Sequence, residues 1–579
     1  MCTTVIVGKA ASTTGRVILG HNEDSGGRVM HQQFWCPGAK HATGEVVEGE
    51  PGRAKVPQAP ETLGTYWSNM LMMPPGSSFD QGLANKAGVV MCSNSGGTSF
   101  DGELSDEETG LVEGGIGFLL RRCVMERAKT AREAVEIAAQ LLTKYGYWSP
   151  ARNYSFADRD EAWLMNVVKG HHFVAKRVPD DEVVLISNYL AIRSVDLSDH
   201  ENVVASPDLI EYAVKTGRYT PKTPGDYSDF DFSAAYQPES NRLDLNKSVR
   251  MRTGWQFLTG GTVYPDPLHY PERLKLGRLI SPDDVKETLR LTAEETYRSR
   301  GDGRADCFHA SAQDISRTHT RESWVCEIGE APLLNVLWHC ASSQDVGTYV
   351  PWFPLAKAIP MGYQWTSLEE ARRVHFHMKP EYLDLDFSKS YFLYAVLGEL
   401  VNFDRGLMAG IWSVREGLEA EFRTRTAEVV ERAKALPHDE AEALLGKFTC
   451  EMAAKNDEAY RELLAVLDTV EASVEPRELS VTDADAECRV VISSFPELDI
   501  EEIDTESIRW SLGFTGAKAS VLAPAKPVKA ELEGDKLVLT FKAFDVAQYA
   551  VAGCLIDTYV RGFIARRRFV AMAPVRFKA

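Results

Sequence analysis

The chain lacks the marks of a metal or disulfide scaffold. Its ten cysteines (Cys2, Cys36, Cys92, Cys123, Cys307, Cys326, Cys340, Cys450, Cys488 and Cys554) are scattered through 579 residues. No two of them stand in the C-x-x-C spacing of a structural zinc site, and they are too sparse for a disulfide framework. For most of them the expectation is a buried thiol in a reducing cytoplasm. No apolar run approaches the roughly 20 residues of a membrane span. The opening MCTTVIVGKAASTTG has no basic start followed by a long apolar stretch, so it does not read as a secretory signal. Positive charge is also short: 64 Lys and Arg face 83 Asp and Glu, a net charge of −19. Such a surface repels a phosphate backbone, which excludes general nucleic-acid binding. Gly96-Gly97-Thr98 lacks the spacing of a phosphate loop. There is no internal repeat, and with 44% apolar and 25% charged residues no case for disorder.

What is present begins with a hairpin. Thr3 to Gly8 is short and β-branched, Lys9 to Gly15 is a small polar loop, and Arg16 to Asn22 is a second apolar run. Pairing Gly8 with Arg16 sets Cys2 opposite Asn22, one strand spacing of roughly 5 Å away. The segment His21, Asn22, Glu23, Asp24 then lies beside the first residues. Ala87 to Cys92 reads as a strand leading into the turn-rich Ser93 to Thr98, and Leu111 to Tyr145 as helix. The runs 152–157, 161–168, 172–177 and 183–188 suggest a second antiparallel sheet. Ser281-Pro282 opens another helix, with a capping serine and a proline in the first turn.

Residues from about 387 to 472 read as a helical hairpin broken near Leu436-Pro437-His438. Beyond Glu475-Pro476 the pattern turns to strands (489–493, 507–512, 536–541, 548–551), which suggests a C-terminal β-sandwich over 477–579, separable from a domain of residues 1–475. Arg566-Arg567-Arg568 reads as a solvated edge.

Cys2 carries the chemistry. Removal of Met1 before a small residue makes Cys2 the terminal residue, with a thiol and a free α-amine on one carbon. The thiol titrates near 8.5 and the amine near 7.7–8, so the amine can serve as general base for the thiol without a histidine. The hairpin brings polar groups to the same place: Asp24 to hold the amine, with Asn22 and Glu23 as outward partners or caps.

Here the sequence resembles a family. Cys2-Thr3-Thr4, the loop Gly8 to Gly15 and the run ending Asn22-Glu23-Asp24-Ser25 look like the start of the peptidase family that holds bacterial dipeptidases and the secernins, among the N-terminal nucleophile hydrolases. The wider group includes penicillin V acylases and bile salt hydrolases. The likeness continues at Asn85 to Val90, Glu126 to Ala134, Arg177 to Asp181, Ile186 to Asn188, Val336 to Trp338 and Tyr349 to Pro351, and covers roughly residues 2–470.

The resemblance implies an α+β fold, the four-layer αββα sandwich, with the helical hairpin and C-terminal module appended. It implies Cys2 as nucleophile, Asp24 as the residue orienting it, Asn188 as fixing the site or the oxyanion, and Asn94 as a second oxyanion donor. The family commonly has arginine three residues before the aspartate, where this chain has His21. Arginine is a permanent cation, so histidine there implies weaker support for a thiolate at neutral pH.

The implied activity is cysteine-type hydrolysis of dipeptides in the cytoplasm, with no cofactor and no metal. Two alternatives stand: an acylase of the same mechanism acting on N-acyl amides, and a non-catalytic secernin-like binding protein. The expected partner is a dipeptide or small amide, with no nucleic acid and no membrane, and a homo-oligomer is compatible with the sequence. His171-His172 and His375-Phe376-His377 have spacings seen in metal sites but no evident carboxylate partner, and alternation would set His375 and His377 on one strand face. Cys307 and His309 form only a sequence-adjacent Cys–His pair.

Overall fold

The computed structural model describes residues 2–25, 28–73, 81–264, 268, 270–291, 315–317, 319–403, 407–466, 469–493, 495, 499–513, 524–565 and 567–579. Cys307, His309 and Arg566 lie outside the described residues.

Two antiparallel sheets carry the first two thirds of the chain, and with the helices against them they make a mixed α+β architecture. The six-stranded sheet runs in the order Val183–Ile186, Thr3–Val7, Ile18–Asp24, Thr320–Glu327, Val336–Cys340, Val350–Trp352. The eight-stranded sheet runs Val203–Ala205, Phe173–Val178, Ala162–Gly170, Tyr147–Ala157, Val90–Ser95, Ala84–Asn85, Thr65–Met73, Arg28–Cys36. Side-chain alternation explains why both faces of the second sheet are buried. Ala162 and Leu164 join Val5, Ile6, Ile18 and Leu19 of the first sheet in one apolar cluster. Trp163 and Met165, between and beyond them, join the cluster formed with the helices Leu119–Met125 and Ala131–Tyr145.

Where the sequence suggests one helix over 111–145, two form. Thr130 caps the second, accepting from the Glu133 N–H at 3.1 Å. That cap ends any continuous helix through 126–130. The strand series over 152–188 is also divided. Its first three members share the eight-stranded sheet, but Val183–Ile186 crosses over and pairs with Thr3–Val7. Asp180 makes this corner, its carbonyl accepting from the Ala10 and Ala11 N–H groups.

The helix Pro282–Arg290 starts at Ser281, with a full capping box to Asp284. It packs on the hairpin so closely that a Cβ on Gly20 would lie 2.4 Å from Val285 Cγ1 and 3.2 Å from Leu289 Cδ1. Gly20→Ala is therefore expected to destabilise the fold by about 1–3 kcal/mol through overpacking. A lowered urea midpoint at constant slope would register it, and an unchanged midpoint would mean the helix seats more loosely than described.

Ser390–Phe403, Met408–Lys434 and His438–Val466 form the helical region, with the break where Pro437 stands. Phe422 and Phe448 from the two long helices join the same cluster as Trp352 and Phe353. No helix among the described residues is long and apolar enough to cross a membrane.

The C-terminal strands form one hydrogen-bonded path, in the order Ile503–Leu512, Leu555–Ile564, Arg567–Lys578, Thr469–Glu475, Glu487–Ile492, Lys536–Lys542, Lys529–Glu533, with Glu478–Ser480 beside Arg567–Lys578. Thr469–Glu475 joins the two halves, pairing parallel to Arg567–Lys578 and antiparallel to Glu487–Ile492. The segment 548–551, read as a strand, instead follows the short helix Phe544–Ala547, and the strands from Leu555 to Lys578 escaped the sequence reading. The core of this unit also takes in Met30, Leu71, Tyr391 and Phe392. Arg576 pairs with Asp384. The two parts of the chain thus share apolar core as well as surface charge.

Candidate active site

Hairpin register decides which side chains meet. The observed pairs are Thr3 with Asn22 and Val7 with Ile18, one residue displaced from the expected Cys2–Asn22 pair. A one-residue slip exchanges the two faces of a strand. It sets Glu23, not Asn22, against the nucleophile candidate: Cys2 Sγ lies 3.5 Å from Glu23 Oε1. On the other flank Thr4 pairs with Ile186, and the same register carries Asn188 to Cys2. Asn188 Oδ1 accepts from the Cys2 backbone nitrogen at 2.9 Å.

Arg250, from the helix Leu245–Leu258, completes the grip. Its guanidinium donates to the Cys2 carbonyl at 2.8 Å, to Thr3 Oγ1 at 3.0 Å and to Asn188 Oδ1 at 2.8 Å. It is 1% exposed. Burial lowers its pKa to about 9, with Arg317 acting the same way and Asp24 and Cys2 opposing, so it stays charged at neutral pH.

His21 is buried beneath Trp324 and beside Cys2. Its Nδ1 lies 2.8 Å from Thr4 Oγ1, and its Nε2 lies 3.4 Å from Glu23 Oε2. Burial works against a charged imidazole. The Cys92 and Cys2 thiols and the Glu23 carboxylate outweigh it, and the His21 pKa is raised well above its ordinary value. Glu23 responds in kind: burial would raise its pKa, but His21 holds it below the usual carboxylate range.

Asn94 accepts from Thr4 Oγ1 at 2.7 Å. Its Nδ2 is buried with no hydrogen-bond partner among the described residues. Asn188 spends its own Nδ2 on the Ser95 carbonyl at 3.0 Å.

Asp24 is buried at the end of the strand Ile18–Asp24. It accepts from Thr320 Oγ1 at 2.7 Å and faces Arg317 Nη1 at 3.8 Å. Burial raises its pKa against the pull of Arg317 and Arg250. Asn22 is fixed to the Leu289 and Ile315 carbonyls and to Ser323.

A second buried polar cluster lies alongside. Glu322 accepts from Ser68 Oγ at 2.6 Å and Gln33 Nε2 at 3.0 Å, and its Oε1 is 2.7 Å from His339 Nε2. His31 Nδ1 approaches its other oxygen at 3.4 Å. Burial opposes the charge on Glu322, but His31, His339 and Ser68 keep its pKa far below the usual range. Between the two clusters is a cavity of about 10 Å³, roughly room for one water. His21, Glu23, His31, Cys92, Arg121 and Glu322 line it, with Met70, Leu83 and Trp324.

The sequence model of peptidase family C69 matches residues 1–379, the stretch that builds this site. The chain belongs to peptidase family C69. It is similar to a probable dipeptidase of Latilactobacillus sakei, 25% identical over 481 residues, an alignment covering 81% of this chain and 95% of that protein. It is also similar to dipeptidase A of Lactobacillus helveticus, 24% identical over 380 residues, covering 63% of this chain and 77% of the other. A probable dipeptidase B of Lactococcus lactis is 27% identical over 308 residues, 51% of this chain and 61% of that protein.

The structure brings Cys2, His21 and Asn188 together, joins Asn94 to His21 through Thr4, and leaves Asp24 acting on Arg250 through its charge. Arg250 and Glu322 went unnoticed in the sequence: neither sits in a motif, and they lie about 250 and 320 positions from Cys2. Glu23, an outward partner or cap in the expected register, comes to face Cys2 because the observed pairing is displaced by one residue.

The histidine pairs lie apart from the site. His375 ends the helix Leu368–Val374 rather than lying in a strand, and its Nδ1 lies 2.9 Å from Asn69 Oδ1. His171 contacts backbone carbonyls, while His172 stacks on Tyr212 and does find a carboxylate, Asp208 at 3.4 Å.

Proposed function

We propose that the chain is a dipeptidase acting through Cys2 as an N-terminal nucleophile after removal of Met1. The carrying observation is the double grip on Cys2. Chain termini are poorly ordered unless tied down. Here the Cys2 backbone nitrogen, which removal of Met1 would make terminal, is bonded to Asn188 and the Cys2 carbonyl to Arg250, both buried. In this reading Cys2 Sγ attacks the scissile carbonyl carbon and its proton passes to the Cys2 α-amine. The amine returns it to the leaving nitrogen, and a water then releases the acyl group from sulfur. Glu23 is also within reach of the thiol, but its lowered pKa makes it the weaker base. Asn94 Nδ2 has spare donor capacity for the oxyanion, a contribution of roughly 3–4 kcal/mol.

The polar cavity supports a small zwitterion over an N-acyl amide. Glu23, Glu322 and Arg121 offer charge to an α-ammonium and a carboxylate, whereas an acyl chain needs an apolar slot. A dipeptide is far larger than this cavity, so turnover requires the lining to open. We also read the layers as the helix–sheet–sheet–helix sandwich of N-terminal nucleophile hydrolases, with 477–579 as an accessory unit. The nine described cysteines are all free, which supports a reducing cytoplasm. The test is a panel of dipeptides and N-acyl amides, with wild type and Cys2→Ser, alongside the mass of the mature chain. Turnover of dipeptides by wild type alone is the expected result, and turnover by both proteins would end the assignment.

The raised His21 pKa gives a pH prediction. A group whose pKa is raised keeps its charge, and the favourable interaction of that charge, below its unperturbed value near 6.5. It loses them as pH climbs through the higher folded value. kcat/KM is therefore expected to fall on the alkaline side as His21 is discharged. His21→Gln should lower the maximum by roughly 10²-fold and remove that alkaline limb. An identical profile in the variant would show that His21 charge plays no part.

A further inference from the structure

Cys2 Sγ, a ring nitrogen of His21 and a carboxylate oxygen of Glu23 all lie within 4.8 Å of one another, and all three residues are buried. We propose that these three side chains form a site for a thiophilic divalent cation of the zinc class, and that occupancy shuts the enzyme off by taking the nucleophile's sulfur as a ligand.

The donor set is the first argument. One thiolate, one imidazole and one carboxylate leaving a fourth position open is a normal zinc environment. Bonds of roughly 2.0–2.3 Å at tetrahedral angles set ligand atoms about 3.3–3.6 Å apart. Sγ lies 3.5 Å from Oε1 and Nε2 lies 3.4 Å from Oε2, so the two oxygens of the one carboxylate each face a different partner at about that length, and one donor atom from each of the three residues falls within 4.8 Å of the others.

Orientation is the second. Thr4 gives its only hydroxyl hydrogen to Asn94 Oδ1. Toward His21 Nδ1, 2.8 Å away, that hydroxyl can then only accept. Nδ1 therefore carries the hydrogen, and in a neutral ring the lone pair sits on Nε2, which faces Glu23. A hydrogen-bonded outer partner that fixes the tautomer and turns the free nitrogen inward is how proteins build metal-binding histidines. A bare lone pair against a carboxylate is unfavourable, so the position calls for a proton or a metal ion. In the working enzyme the proton fills it.

The fourth donor rests on the proposed processing. Once Met1 is gone, the α-amine and thiolate of Cys2 close a five-membered chelate on one ion, while the three side-chain donors do not depend on that step. Binding releases the thiol proton, so affinity falls with acid. The cation is an inhibitor here, since the same sulfur cannot both bind it and attack a carbonyl.

The test uses the full mature chain stripped with a chelator. Zinc is titrated calorimetrically, and cadmium is titrated in the ultraviolet for the thiolate-to-metal charge-transfer band. One ion per chain is expected, with the band present and dipeptide hydrolysis falling in step with occupancy and restored by chelator. Cys2→Ser, which keeps the size, should lose the band. Glu23→Gln and His21→Gln should each bind at least about tenfold more weakly. Equal zinc affinity in Cys2→Ser, absence of the band in wild type, or hydrolysis rising with zinc would each overturn the proposal. A chain that shows the band and the stoichiometry yet cleaves no dipeptide when stripped would retain the metal site and refute the proposed function instead.

Discussion

Cys2→Ala is expected to abolish peptide hydrolysis and leave a folded protein. An acyl-enzyme route has no substitute for the sulfur, and losing a catalytic nucleophile elsewhere costs up to about 10⁶-fold in kcat. The structural cost is small but not zero. Cys2 is 3% exposed and its thiol faces Glu23, so alanine leaves a gap of one sulfur atom and removes one neighbour of a carboxylate that still has His21. A loss of about 1 kcal/mol follows from the cavity term, and the backbone bonds to Asn188 and Arg250 survive. Turnover and thermal midpoint are measured on the same preparation. Activity within tenfold of wild type would end the nucleophile assignment, while a collapsed midpoint would show that Cys2 is chiefly a packing residue.

Arg250→Met should damage stability and catalysis together. Methionine fills much of the volume but strands three buried acceptors: the Cys2 carbonyl, Thr3 Oγ1 and Asn188 Oδ1. It also leaves Asp24 with one less cation. Breaking a buried charged network of this kind costs about 3–5 kcal/mol. Catalysis suffers through geometry, since Asn188 and Arg250 jointly aim the Cys2 nitrogen and carbonyl, and a displacement near 1 Å can cost about 10²-fold. Arg250→Lys separates the two effects. It keeps a charge but not the planar fork, so it should recover part of the thermal midpoint while kcat stays low. Full recovery of kcat with lysine would mean that charge alone matters and the three-way grip does not.

The hairpin, the capped helix at Ser281, the break at Pro437 and the candidacy of Cys2 were legible because each rests on local rules. β-Branched runs make strands, serine and proline make helix starts, and an N-terminal thiol with its own amine is chemically complete within one residue. Register was not legible. A strand pattern is nearly the same after a slip of one, yet that slip exchanged Asn22 for Glu23 beside Cys2 and set Asp24 against Thr320 and Arg317. The division of 147–186 between two sheets was equally hidden, because short buried strands look alike whichever sheet receives them. Arg250 and Glu322 reach the site only through long-range packing. A lone arginine on a helix gives no sign that its guanidinium will be buried against the chain's first residues. Sequence thus supplied the candidate nucleophile and the local elements, whose causes lie within a few residues. Tertiary structure decided which charges surround that nucleophile, because burial and strand pairing over some 250 positions set their distances and their protonation.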